Sequence, residues 1–127
     1  MSTNSSDSGS SASRPDLRRT PRIDVRQRLA GHLVTLDRRV VVRDISLGGF
    51  SVESDEELPA GVHIVRLHEG DRWSVTVTAD SRHRQATRSP DGVMTHVMGF
   101  EYKDQPPETQ HTLRVLFERL AADQPEQ

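Results

Sequence analysis

The sequence predicts an all-β domain finished by one C-terminal helix, a small antiparallel barrel with the helix laid across an open end or face. Three observations carry that reading. Short apolar, β-branched runs recur between Gly, Pro and Asp turn signals, as separate antiparallel strands require. In one of them, Trp73-Ser74-Val75-Thr76-Val77-Thr78-Ala79, the alternation is strict, so Trp73, Val75, Val77 and Ala79 share a face. After Pro106-Pro107 the period changes: Leu113, Leu116, Phe117 and Leu120 fall at i, i+3, i+4 and i+7, the apolar stripe of an amphipathic helix. Short strands followed by one helix pack best as a closed or nearly closed sheet covered by that helix.

The elements follow in order. Residues 1–13, MSTNSSDSGSSAS, carry only Met1 and Ala12 as apolar side chains and read as a disordered tail, because they cannot bury enough surface to offset their ordering entropy. Residues 14–28 are arginine-rich: Arg14, Arg18, Arg19, Arg22, Arg26 and Arg28 stand against Asp16 and Asp24. The barrel is expected over 29–104. Leu29 to Leu36 and Val40 to Ile45 flank the polar Asp37-Arg38-Arg39 as a hairpin would, and Phe50-Ser51-Val52 follows a glycine pair. Asp55 to Gly61 is a loop, Val62 to Leu67 a strand, and Glu69-Gly70-Asp71 its closing turn. Ser89-Pro90-Asp91-Gly92 is a strong turn, and Val93 to Tyr102 the last strand, with Met94, Met98, Phe100 and Tyr102 lining one face. The helix is expected over 105–122, with a proline in its first turn, where an amide donor would be unpaired anyway.

Composition bounds the function. The chain has 127 residues, enough for one domain, and 32% hydrophobic content, low enough to place part of it outside the core. It lacks cysteine, so there is no disulfide framework and no thiolate metal site. Neither a signal-peptide h-region nor a membrane-length apolar run is visible, and a cytoplasmic protein without membrane insertion is expected. A net charge of −2 gives no global attraction to nucleic acid, and the five aromatics are too few for a stacking platform. The histidines, His32, His63, His68, His83, His96 and His111, show no metal-ligand spacing and read as surface residues. No nucleophile elbow or phosphate loop is present, so no enzyme, metal or cofactor is expected.

Two motifs remain. Arg43-Asp44-Ile45-Ser46-Leu47-Gly48-Gly49-Phe50 begins as a strand and ends in acceptors and bare backbone. Asp44 and Ser46 would share a strand face, but with Val40, Val42 and Ile45 in the core that face is not assigned by alternation, and a bulge or strand end is expected nearby. Asp, Ser and Gly are equally the residues of an ordinary turn. The second motif, Leu17-Arg18-Arg19-Thr20-Pro21-Arg22, reads alone as a solvated basic linker.

Together, R-x-x-x-R at Arg18 and Arg22 followed by D-x-S-x-x-G at Asp44, Ser46 and Gly49 resembles the PilZ domain family. Leu58-Pro59-Ala60-Gly61, Met98-Gly99-Phe100 and the leucine-bearing terminal helix are similar to that family too, so the resemblance spans 14 to about 122. It implies a six-stranded antiparallel barrel over a PilZ-like domain of residues 14–127, acting as a receptor for the bacterial second messenger cyclic di-GMP. By the same resemblance, Arg18 and Arg22 would hold phosphate and guanine, while Asp44, Ser46 and Gly49 would form the guanine pocket. Ligand would order the arginine segment, Arg14 to Arg26, over the barrel and change a surface read by a downstream protein partner. The rival reading is an adaptor of the same fold that works without nucleotide. One stretch departs from the family: Asp80-Ser81-Arg82-His83-Arg84 stands where an apolar strand is usual, and reads as a solvated loop carrying Arg82 and Arg84, with Arg88 beyond.

Overall fold

A computed structural model describes residues 21–123; the serine-rich tail, Arg18 and the rest of the segment before Pro21 lie outside the described residues. Its strands are β1 (Ile23–Asp24), β2 (Ala30–Leu33), β3 (Arg38–Ile45), β4 (Gly49–Ser54), β5 (Val62–Glu69), β6 (Trp73–Arg88) and β7 (Met94–Tyr102), followed by helix α1 (Pro107–Ala122). The pairing runs β3-β2-β5-β6-β7-β4 and closes through β4 onto β3, giving the six-stranded antiparallel barrel. Closure removes unpaired sheet edges, which a small soluble sheet must otherwise protect. β1 is an addition: it pairs with β3 at Asp44 and Ile45, beyond the stretch that β2 covers.

Inward positions alternate with outward ones. On β5, His63, Val65 and Leu67 are buried while Val62, Ile64 and Arg66 are exposed. Phe50 and Phe100 stack at 5.1 Å between centroids in the barrel interior, with Tyr102 tilted against Phe50 at 5.7 Å. The helix buries the expected stripe of Leu113, Leu116, Phe117 and Leu120 in the same cluster. Pro107 opens the helix, two positions after the expected start.

Four sequence expectations change. The first hairpin turns earlier than expected: β2 ends at Leu33, Val34 to Asp37 form the turn in place of Asp37 to Arg39, and Asp37 takes the left-handed region at φ 51°. Asp80 to Arg84 is not a loop. It lies inside β6, which runs sixteen residues with a bulge at Arg82 and stays paired with β7 to its end, so Arg82, Arg84 and Arg88 sit on a strand. Its charges face solvent and meet opposite partners, Arg82 with Glu101 and Arg84 with Glu57. His63 is not a surface residue: it is buried, and its Nε2 donates to the Pro59 carbonyl at 2.7 Å. Finally, Ile23 and Val25 are core residues and the Val25 amide donates to Arg43 at 3.0 Å. The chain from Ile23 onward is therefore docked on the barrel.

Candidate functional site

The outward face at the end of β3 is set by one irregularity. Val40 and Val42 point inward, and strict alternation would put Asp44 inward next. A bulge between Val42 and Asp44 inserts Arg43 as an extra residue, so Ile45 returns to the core and Asp44 stays outside. The phase that sequence alternation leaves open is fixed by that residue.

Around Asp44 the register builds a row across five strands: Asp24 on β1, Asp44 on β3, Ser51 on β4, Gly99 on β7 and His83 on β6. The Arg22 guanidinium reaches into this row and donates to Asp44 Oδ1 at 2.7 Å, across 22 residues of sequence. Arg26 lies alongside, bonded to Asp24 Oδ2 at 2.8 Å and to Glu53 at 3.3 Å. Asp44 keeps 20% of its side chain exposed and Arg22 45%, so the pair is open to displacement. Ser51 Oγ is buried with no hydrogen-bond partner among the described residues. The His83 ring lies over Gly99, about 3.1 Å from where a Cβ would stand.

The other two residues of the D-x-S-x-x-G motif serve the fold directly. Ser46 is buried; its Oγ accepts from the Gly48 amide and donates to the Gly49 carbonyl, both at 3.3 Å, while its amide donates to Gly49 at 2.8 Å. That is a hydroxyl-closed turn. Gly49 is needed by β7: an added Cβ would stand 2.0 Å from the Phe100 carbonyl oxygen. On its far side this turn borders an opening of about 660 Å³ toward α1, lined by Ser46, Leu47, Gly48, Tyr102, Gln110 and Arg114 among others. The Tyr102 hydroxyl has no partner among the described residues, and burial pushes its pKa up, keeping it a neutral donor.

The structure thus brings Arg22 and Asp44 into contact, sets Ser46 and Gly49 in the adjoining turn, and leaves Arg18 outside the described residues. Sequence reasoning missed Ser51, Arg26 and His83. Ser51 follows Gly49 by two and so shares its outward face, a signal hidden by the apolar neighbours Phe50 and Val52. His83 carried no signal, since cross-strand register is not written in local sequence. No cluster of His, Asp and Glu suited to a metal ion occurs among the described residues, and no described helix is long and apolar enough to cross a membrane.

This closed barrel with its terminal helix is the PilZ fold. The chain superimposes on the PilZ domain with cyclic di-GMP of YcgR from Escherichia coli with a TM-score of 0.65 at 16% identity, over 85% of this chain and 94% of that one. It matches MrkH of Klebsiella pneumoniae in its apo state with a TM-score of 0.71 at 13% identity, covering 87% of this chain and 53% of that one. It also matches the Bacillus subtilis inhibitor of motility MotI with a TM-score of 0.59 at 17% identity, over 88% and 55%. The chain spans about half the length of the latter two. No protein-family model and no curated protein matches the sequence.

Proposed function

We propose that this protein is a receptor for cyclic di-GMP, bound on the outer face where Arg22 meets Asp44. The observation that carries the proposal is that ion pair, which joins the two motifs on a PilZ barrel. Asp44 accepts from N1 and N2 of a guanine, the donors of its Watson–Crick edge. The guanidinium groups of Arg22 and Arg18 take phosphate oxygens or the O6 and N7 acceptors of the Hoogsteen edge. In the free protein Arg22 and Asp44 satisfy each other, but an exposed ion pair is worth at most about 1 kcal/mol. Charge-assisted hydrogen bonds to ligand contribute about 1.5–3 kcal/mol each, and micromolar affinity needs only about −8 kcal/mol. Exchange of partners is therefore favourable. Ser46 and Gly49 support the site by shaping the turn beside Asp44, in addition to any direct contact. Segment 14–22 closes over the ligand, hinged just before the docked Ile23, and the altered surface is read by a partner protein.

Calorimetry tests this directly. Heat is expected with cyclic di-GMP and none with GTP. Arg22→Ala and Asp44→Ala are each expected to weaken binding at least about tenfold, the loss of one charge-assisted contact, while Arg84→Ala leaves it unchanged. Unaltered affinity in Arg22→Ala would refute the site. Hydrogen exchange before Ile23 separates the closing step: equal protection with and without ligand removes it. One observation favours the nucleotide-independent adaptor: Ser46 and Gly49 are both fully employed by the barrel, so their presence alone does not require a ligand.

A further inference from the structure

The Asp44 row has a second wall, and two bulges set its two sides. The one in β3 keeps Asp44 outside; the one in β6 places His83, not Arg82, opposite Gly99. Arg82 is held aside by Glu101. Met98 and Phe100 are buried in the barrel, so Gly99 between them faces out. A Cβ built on Gly99 would stand 3.1 Å from Cε1 and Nε2 of His83 and 3.6 Å from Nδ1. The imidazole therefore leans across bare backbone toward Ser51, the next residue of the row. Of the histidines, only His32 and His63 make side-chain hydrogen bonds among the described residues, so the ring nitrogens of His83 are free there. Ser51 Oγ, buried without a partner among the same residues, stands between that ring and the Asp44 carboxylate.

The width and chemistry of this gap point to one occupant. From β3 to β7 there are two strand spacings, about 10 Å in all. With a hydrogen bond of about 2.9 Å at each side, the gap takes one planar base. The two walls are complementary to different groups: a carboxylate accepts, as the N1 and N2 donors of guanine require, and an imidazole N–H donates, as its N7 acceptor requires. N2 and N7 lie at opposite ends of the purine, so a single guanine laid over Ser51 satisfies both walls. A lone anion would meet the like charge of Asp44, and a metal ion finds no ligand cluster among the described residues.

We infer that His83 is a base-contacting residue of the site, donating to N7 of the guanine that Asp44 holds. The inference rests on the cyclic di-GMP reading and adds to it a contact from β6, leaving Arg22 and Arg18 to the phosphates and the second base. Calorimetry on the full chain compares cyclic di-GMP with its 7-deazaguanine analogue, in which C–H replaces N7. The parent is expected to bind cyclic di-GMP about fivefold more tightly than the analogue, the worth of one neutral hydrogen bond. His83→Leu is expected to lose that factor with cyclic di-GMP and nothing further with the analogue. His83→Gln, whose amide also donates, keeps most of the preference. His83 is exposed, so both variants are expected to melt with the parent. Equal affinity of the parent for the two ligands overturns the inference. So does a His83→Leu variant in which the two losses multiply, since independent losses mean no contact between ring and N7. In both of those cases the parent still binds cyclic di-GMP and the receptor reading stands; a parent that gives no heat with cyclic di-GMP overturns both.

Discussion

Gly49 shows how one residue can carry two explanations with different consequences. From sequence it invites a base to approach bare backbone; in the fold it allows the Phe100 carbonyl of β7 to approach instead. With a Cβ 2.0 Å from that oxygen, strand separation has to change. Gly49→Ala is therefore expected to lose at least about 1–3 kcal/mol, the range for overpacking, measured by denaturant unfolding without ligand. Gly31→Ala is the comparison. Its Cβ would meet side-chain methyls rather than backbone, those of Val40 and Val42 at 3.1 and 3.3 Å and of Val65 at 3.8 Å, and a smaller loss is expected there. If Gly49→Ala were as stable as the parent, the fold would have no use for the glycine and direct ligand contact would be its sole explanation.

Elements were legible where one face is buried and the other is not. The stripe of α1 and the alternation of Trp73 to Ala79 were both read correctly, because burial imposes their period. The second half of β6 was not. Arg82 bulges and shifts the phase, and the residues beyond it are exposed on both sides, so no hydrophobic pattern survives to mark a strand that β7 nevertheless holds by its backbone. β1 was hidden for another reason: two residues are too few to show any period. The candidate site was half legible for the same causes, since motif spacing marks Arg22 and Asp44 but the cross-strand row that adds Ser51 and His83 depends on register. Along α1 the buried stripe also sets where truncation is costly. Leu120→Ala is expected to destabilise by about 2–5 kcal/mol and exposed Val115→Ala by no more than about 0.5 kcal/mol, read from thermal or denaturant unfolding.

Across the whole molecule, Glu69 ties distant parts together. Arg28 from the β1–β2 turn donates to its Oε2 at 2.9 Å, Trp73 Nε1 from β6 to its Oε1 at 2.8 Å, and Arg119 from α1 to Oε1 at 3.0 Å. Arg28 also reaches Asp123 at the helix end. The Arg28 hydrogen bond, with help from Trp73 and the nearby positive charges, holds the Glu69 carboxyl below its ordinary value of 4.5 despite opposing desolvation. A carboxyl whose folded pKa is depressed stabilises the fold above its unfolded pKa and loses that contribution as pH falls through the folded one. Glu69→Gln is therefore expected to lower the unfolding midpoint at neutral pH. It should also shrink the further loss on acidification below 4.5, so that the two proteins converge in acid. Parallel curves at every pH would remove Glu69 from the linkage. Through Arg28 the same carboxylate ties the β1–β2 turn to the terminal helix.

Ser51 asks the molecule a question that its other residues do not. A polar atom shut away from water without a companion weakens a fold by about 1–3 kcal/mol, so erasing it with Ser51→Ala should make the unliganded protein tougher. If cyclic di-GMP supplies the missing companion, the same change should blunt nucleotide uptake. Opposite movement of melting temperature and affinity in one variant would expose a position kept for its cargo at the scaffold's expense.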